Sequence, residues 1–390
     1  MLRLFGQSLW RFTQLCVQGL WPAGQRSTGR SVRRFLVMLL FLPLFGLLQL
    51  THWVGFLLDE ILFRGYRDVV IRDPVFVTGV PRSGTTLVHR TLACDTQFTT
   101  FTTWECLFAP SITQRRIVQG AARLDRAVGS PLRRLLGWAE RKLFAVLEDV
   151  HGTGLSDAEE DYFVFMPVLC CFILVVPFPA APWLWQMGQF DERMSPKQRQ
   201  QLMQFYRGCI QRHLYANGAE KRFLSKNASF PPLLGSLASE FPDARFICCL
   251  RDPLEVVASQ LSSLREGMEF FGNDPYDVVF RDRMINLLEY YYRNLARAPV
   301  PDLQREWVTM RQFQTELEAS VEAIYTSLDI ELNDQFRGQL EQMGSSARQY
   351  TSGHRYNLGE FGLDAKTLRE RFEHSTAGLD YERANSETFS

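Results

Sequence analysis

The chain has 390 residues, with 43 Lys+Arg against 43 Asp+Glu, so its formal net charge is zero. That length holds one large α/β domain or two smaller ones, and the charge balance argues against nucleic acid as a partner. Aromatic residues make up 13% of the chain, 30 of them Phe, and their excess in two uncharged stretches points to membranes or an apolar acceptor.

Residues 1–34 carry six arginines and no acid, and Phe35 to Leu58 is a run of 24 residues without a formal charge. The run exceeds the ~20 apolar residues that cross a bilayer. Pro43, Gly46 and Gly55 interrupt it, and Gln49, Thr51 and His52 dilute it. Its late start and the lack of a small-residue cleavage site argue against a signal peptide. A true span would place the rest of the chain on the far side of the membrane by the positive-inside rule. The expectation is therefore a monotopic or re-entrant segment, with Arg26, Arg30, Arg33 and Arg34 on anionic headgroups at the cytoplasmic face. A true span, with the folded domain facing a lumen, and a buried core helix are the alternatives. Residues 1–70 are assigned to this membrane-associating part and 71–390 to the folded domain, with an apolar insertion over about 106–220.

Asp73 to Cys94 reads DPVFVTGVPRSGTTLVHRTLAC. Val75-Phe76-Val77 is a short apolar run of the buried parallel-strand kind, Gly79 to Gly84 forces a tight loop, and helical spacing resumes at Thr85. Strand, glycine loop and helix aim backbone N–H groups at an anion. The spacing is that of a P-loop, but Thr85 stands where nucleotide triphosphatases carry Lys, and the loop's cation is Arg82. Arg82, Ser83, Gly84, Thr85 and Thr86 are the candidate phosphate cradle; the alternative is an ordinary strand-to-helix turn.

Phe98 to Glu105 alternates Thr with aromatics and predicts a short strand or extended loop. Gln114 to Leu147 is helical in pattern, with Leu135 and Trp138 in its apolar stripe, and Ser156 to Glu159 has a capping-box signature that opens a helix. Tyr162 to Phe190 is the second uncharged stretch, where four prolines rule out one spanning helix; it packs on the core or dips into the membrane interface. Ser195 and Pro196 start a helix that runs to Tyr215. Arg222 to Lys226 predicts a strand, Pro231 to Glu240 a helix, Ala244 to Leu250 a strand, and Pro253 a further helix carrying Ser259. This alternation argues a parallel sheet. Tyr276 to Arg297 is a helix and Trp307 to Met310 the last strand. The eight cysteines lack metal spacing. Cys170-Cys171 and Cys248-Cys249 read as small buried apolar residues in a reduced chain, so no metal is expected.

PRSGTTLVHRTL resembles the 5′-phosphosulfate-binding loop of sulfotransferases that use 3′-phosphoadenosine 5′-phosphosulfate (PAPS), and FPDARFICCLRDPLEVVASQ (Phe241 to Gln260) resembles their 3′-phosphate-binding element. Thr102-Thr103-Trp104-Glu105 points to the bacterial-type branch, related to Golgi tyrosine and carbohydrate sulfotransferases. The resemblance implies an α/β fold with a P-loop-like central parallel sheet flanked by helices. It implies PAPS as co-substrate, with the cradle on the 5′-phosphate and Arg251 and Ser259 on the 3′-phosphate. For Arg251-Asp252-Pro253 alone, a capping element with a local ion pair is the alternative.

By resemblance Lys226 stabilises the bridging oxygen, although Ala228 stands where the Golgi enzymes have Pro. Glu105 matches their catalytic glutamate in spacing and is the first candidate base; a helix-first-turn acid is its alternative. His151, with Glu159, Glu160 or Asp161, is the rival base, and His354 and Arg355 are candidates to reach the cofactor from the tail. The expected activity is transfer of the sulfuryl group of PAPS to a hydroxyl on a small molecule, glycan or lipid, with a lipid or lipid-linked acceptor favoured by the two apolar stretches. A P-loop kinase and a non-catalytic membrane scaffold on this fold are the alternatives.

Overall fold

Five short strands form one fully parallel sheet in a computed structural model, which describes residues 1–21, 32–131, 134, 137, 157, 158, 160–347 and 358–380. The strands are β1 (Val75–Gly79), β2 (Phe98–Thr99), β3 (Arg222–Asn227), β4 (Arg245–Leu250) and β5 (Arg305–Thr309), in the order β2-β3-β1-β4-β5. The central strands β1 and β4 read as near-continuous apolar runs because helices cover both faces. Phe76, Phe223, Phe246 and Cys248 enter the larger apolar cluster on one face, and Val75, Val77, Leu224, Ile247 and Cys249 the smaller one on the other. The strand order reverses around β1, which pairs with β3 on one side and β4 on the other. Crevices for ligands form beyond the carboxyl ends of strands at such a switch point.

Among the helices, α1 (Leu2–Leu20) and α2 (Val32–Leu62) form an antiparallel hairpin, α3 (Thr85–Leu92) follows the β1 loop, and α4 (Thr103–Phe108) and α5 (Ile112–Ala127) come next. The rings of Phe5 and Trp53 are 5.2 Å apart and those of Phe12 and Phe45 6.3 Å apart across the hairpin. Helix α2 buries one stripe, Met38, Leu42, Phe45, Trp53 and Phe56, in the same cluster as the sheet. Its two ends are tied down. Arg34 donates to Phe271 O (2.8 Å), Asn273 Oδ1 (2.7 Å) and Pro177 O (3.2 Å). Asp59 accepts from the Ile112 and Thr113 N–H groups at 2.9 and 2.8 Å and from Arg212 Nε at 3.0 Å. The expectation of Arg34 on headgroups is corrected: it is buried, and its partners are protein carbonyls and an amide. Arg33 is exposed, while Arg26 and Arg30 lie outside the described residues. The opposite face of α2 exposes Leu36, Leu40, Leu44 and Leu47.

Several expected elements shift. Phe98 to Glu105 is strand only at β2 and then turns into α4, because Thr102 and Glu105 form a capping box. After the outlying Ser156 and Glu159, Asp161–Val168 is a 3-10 helix rather than an α-helix, with Pro167 inside it. Leu135 and Trp138 also lie outside the described residues. Tyr162 to Phe190 folds into short helices and turns, with most of its apolar residues buried in the main cluster. The helix Pro196–Asn217 is capped by Ser195, whose Oγ accepts from Gln198 N–H, as expected.

Candidate active site

The β1 loop is shaped by two glycines. Gly79 has φ +151°, and a Cβ there would lie 2.2 Å from Cys249 O on the neighbouring strand. Gly84 caps α3 with φ +90°. Arg82 also takes the left-handed region, at φ 67°, which L residues adopt only under constraint. The constraint is visible: Arg82 Nε donates to Ser259 Oγ at 3.0 Å, and Arg251 Nη1 donates to Arg82 O at 2.8 Å. The two blocks singled out in the sequence, 169 residues apart at these positions, meet here.

Arg251 is also paired with Glu255 at 2.5 Å, and Asp252 caps the helix Pro253–Phe270 by accepting from Leu254 N–H. The local capping reading of this segment therefore coexists with its contact to the loop. Ser259 is fully buried, and Ser83 is buried with its hydroxyl donating to Val80 O at 2.6 Å. These two serines stand behind the loop, whereas Arg82, Gly84, Thr85 and Thr86 face a cleft of about 1430 Å³.

Lys226 and Glu160 share that cleft, with Nζ and Oε1 3.0 Å apart. Lys226 sits at the carboxyl end of β3, in register with Val77 of β1. Behind it, Tyr206 donates its hydroxyl to Asp161 Oδ2, and Asn227 Nδ2 donates to Asp161 Oδ1 at 3.5 Å. Burial pushes the Asp161 carboxyl up to about 7 against the hydrogen bond from Tyr206. Asn227 is fully buried, and its Oδ1 accepts from Ser229 N–H.

Glu105, the first candidate base, lies away from the cleft. It is the N3 residue of the α4 capping box, buried, 3.4 Å from Arg115 Nη1, and its Oε1 accepts from Asn217 Nδ2 at 3.1 Å. Burial would raise its pKa, but Arg115, His213 and these hydrogen bonds outweigh that and hold it low. It is not among the residues that line the cleft. His151, Glu159, His354 and Arg355 lie outside the described residues. His89, on α3, is held neutral by burial and by the Lys226 charge, with its pKa lowered to about 3. Sequence reasoning named Glu160 only as a helper to His151. The signal available was the Glu159-Glu160-Asp161 triplet opening an apolar strap.

The cleft also has a large apolar lining. Phe41, Phe45 and Leu48 of α2 wall it together with Phe172, Val175 and Leu264. Arg33 stands at its rim.

A family model described as "Sulfotransferase family" matches residues 74–334. Two curated relatives, both named omega-hydroxy-beta-dihydromenaquinone-9 sulfotransferase Stf3, from Mycobacterium bovis and Mycobacterium tuberculosis, are 27% identical over 234 residues. The match covers 57% of this chain and 53% of each relative, so the chain spans about half the length of the curated relatives it matches. Among solved structures, sulfotransferase STF9 from Mycobacterium avium aligns with a TM-score of 0.72 at 16% identity, covering 97% of this chain and 96% of that one. Sulfotransferase STF1 from M. tuberculosis H37Rv aligns with a TM-score of 0.68 at 20% identity, covering 94% and 93%. At such identities the likeness is one of fold.

Proposed function

The chain belongs to the sulfotransferase family, and from that premise we propose that it moves the sulfuryl group of PAPS to the hydroxyl of an apolar, membrane-derived acceptor. The observation that carries this reading is one cleft with two unlike sets of lining residues: Arg82, Thr85, Thr86, Lys226 and Arg251, and the aromatic wall of α2 with the 172–176 turn. The cationic set suits a phosphate-bearing donor, and its donors fit the group: guanidinium forks, hydroxyls and a helix N-terminus all complement oxyanions.

When bound, PAPS supplies an electrophilic sulfuryl group on a phosphate leaving group. Glu160 accepts the proton of the acceptor hydroxyl as its oxygen bonds to sulfur. Lys226 donates to the bridging oxygen as the sulfur–oxygen bond to phosphate breaks, and 3′,5′-adenosine bisphosphate leaves. Arg82 and the α3 N-terminus hold the 5′-phosphate, Arg251 the 3′-phosphate, and Ser259 orients Arg82. Glu160 takes the role first expected of Glu105 or His151.

The mycobacterial relatives are named for a hydroxylated dihydromenaquinone, and the apolar lining of this cleft suits an acceptor of that kind. The α1–α2 hairpin supports delivery from a bilayer. Its bonds at Arg34 and Asp59 hold α2 to the protein over 25 residues, or about 38 Å, which suits a helix lying in the interface better than one crossing it. We place it on the cytoplasmic leaflet, where PAPS is made.

The test is thermal shift followed by product labelling. Stabilisation by 3′,5′-adenosine bisphosphate but not by ATP–Mg²⁺ is expected, and labelled PAPS with a membrane lipid extract should yield a labelled apolar product. Equal stabilisation by ATP–Mg²⁺ would restore the kinase reading, and labelling only of water-soluble acceptors would overturn the lipid assignment.

A further inference from the structure

A second groove, of about 850 Å³, lies between the helix Val278–Arg297, the short helix Phe190–Arg193 and the C-terminal helix Ala365–Phe372. Five arginines line it, against two carboxylates, in a chain whose overall net charge is zero.

Their placement follows from helix geometry. Arg283, Arg293 and Arg297 fall within about 80° of one another at 100° per residue and extend over about 21 Å at 1.5 Å per residue. Arg193 and Arg371 face them from the other two helices. The two carboxylates are already engaged: Glu192 is 2.9 Å from Arg293 and 3.7 Å from Arg193, and Glu289 is 2.9 Å from Arg371. Arg283 lies over the Trp185 ring at 5.7 Å and, like the exposed Arg297, has no carboxylate partner among the described residues. The floor is partly apolar, through Trp185 and Leu287, while Asn286 and His374 add polar groups at the edge.

An excess of guanidinium groups in a concave surface is unfavourable by self-repulsion unless an anion offsets it. Arginine forks match the oxygens of phosphate and sulfate esters, usually with two parallel hydrogen bonds. A row about 21 Å long is too extended for one such group. It suits a ligand bearing two or more. The groove also begins beside the membrane hairpin: Ala180 lines it, and Phe178, two residues earlier, contacts Phe41 of α2 with ring centroids 6.3 Å apart.

We propose that this groove is a second binding site, distinct from the sulfuryl-transfer cleft, for the phosphate groups of a multiply charged ligand. Soluble polyphosphate esters and the headgroups of an anionic bilayer share that chemistry. The site does not depend on the reaction assigned to the first cleft.

The experiment uses the full chain with the first cleft saturated by 3′,5′-adenosine bisphosphate. Binding of inorganic tripolyphosphate is measured by calorimetry at two salt concentrations. Co-sedimentation is measured with phosphatidylcholine vesicles, with and without phosphatidylglycerol. Wild-type protein is compared with an Arg283→Ala/Arg297→Ala variant and with the corresponding double Lys variant. Both arginines are exposed, so the fold is not at stake, and melting temperature checks it. The Ala variant should lose about tenfold or more in affinity for the probe that occupies the groove, with a flatter salt dependence, and the Lys variant should lose less. Loss for tripolyphosphate alone identifies a soluble ligand, and loss for anionic vesicles identifies the headgroup. If wild-type protein binds neither probe above the neutral-vesicle level, or the Ala variant binds both as wild type does, the proposal is overturned.

Discussion

Glu160 Oε1 lies 3.0 Å from Lys226 Nζ in the cleft beyond the β3 carboxyl end. The pair is held by what stands behind it. Side chains alternate along a strand, so Lys226 points to the cleft while Ser225 and Asn227, its neighbours, turn to Tyr206 and Asp161. Asp161 in turn follows Glu160 in the chain. One buried cluster thus grips the residues next to both members of the pair.

From this arrangement Glu160→Gln should lower kcat by ~10²–10⁴-fold, the usual worth of a general base, with affinity for 3′,5′-adenosine bisphosphate nearly unchanged. Glu105→Gln should do the reverse, lowering the melting temperature by loosening the Arg115 and Asn217 contacts while sparing kcat in the protein that remains folded. Steady-state kinetics alongside melting curves decide it. A kcat loss confined to Glu105→Gln would return the base to the α4 capping box.

Arg251→Ala should weaken 3′,5′-adenosine bisphosphate more than a nucleotide lacking the 3′-phosphate. A charge-assisted hydrogen bond is worth ~1.5–3 kcal/mol, so the selective loss should be about tenfold or more. Calorimetry with both nucleotides measures it. An equal loss for the two would mean that Arg251 acts only through Arg82, whose carbonyl it holds at 2.8 Å.

Asp161 makes a prediction about pH. Burial raises its carboxyl from 3.8 to about 7, so the folded state holds this proton more tightly than the unfolded chain does. The associated stability is fully present below about pH 4 and is lost as pH rises through 7. Asp161→Asn removes the titration. The melting-temperature advantage of wild type over the variant should therefore shrink between pH 4 and 7. Taking the difference cancels the buried histidines, whose lowered pKa values act with opposite sign. A constant difference would show that Asp161 does not titrate there.

How much of this was legible in the sequence depended on distance along the chain. The conformations of the β1 loop and the Arg251 segment were readable because each is a local strand–loop–helix pattern whose glycines or caps act within a few residues. The parallel sheet followed from the alternation of elements. Glu160 was not readable as the partner of Lys226, because only the fold of the intervening strap and the helix Pro196–Asn217 brings them together. Thr102 to Glu105 carried a capping-box spacing, yet the family likeness pulled Glu105 toward catalysis. Composition could mark α2 as apolar, but not which of its faces meets protein. Arg34 and Asp59 turn inward because each finds several hydrogen-bond partners there, two backbone carbonyls and an amide oxygen for Arg34, and two backbone N–H groups and Arg212 for Asp59.

The two faces of α2 should respond oppositely to substitution. Leu36, Leu40, Leu44 and Leu47 stand 57%, 68%, 59% and 59% exposed along one side. Burying a leucine side chain in an apolar phase is worth ~1.5–3 kcal/mol, so changing all four to Gln should lower binding to phosphatidylcholine vesicles by at least tenfold. Melting temperature and affinity for 3′,5′-adenosine bisphosphate should stay near wild type, since these side chains touch solvent rather than the core. Arg34→Ala should instead lower the melting temperature, because it leaves Phe271 O and Asn273 Oδ1 without their charged donor. It should also raise KM for an apolar acceptor, since α2 carries Phe41, Phe45 and Leu48 into the cleft wall. Vesicle flotation, melting curves and kinetics in detergent separate the two effects. Vesicle binding that survives the four substitutions would remove the hairpin from the membrane and leave α2 as a wall of the cleft alone.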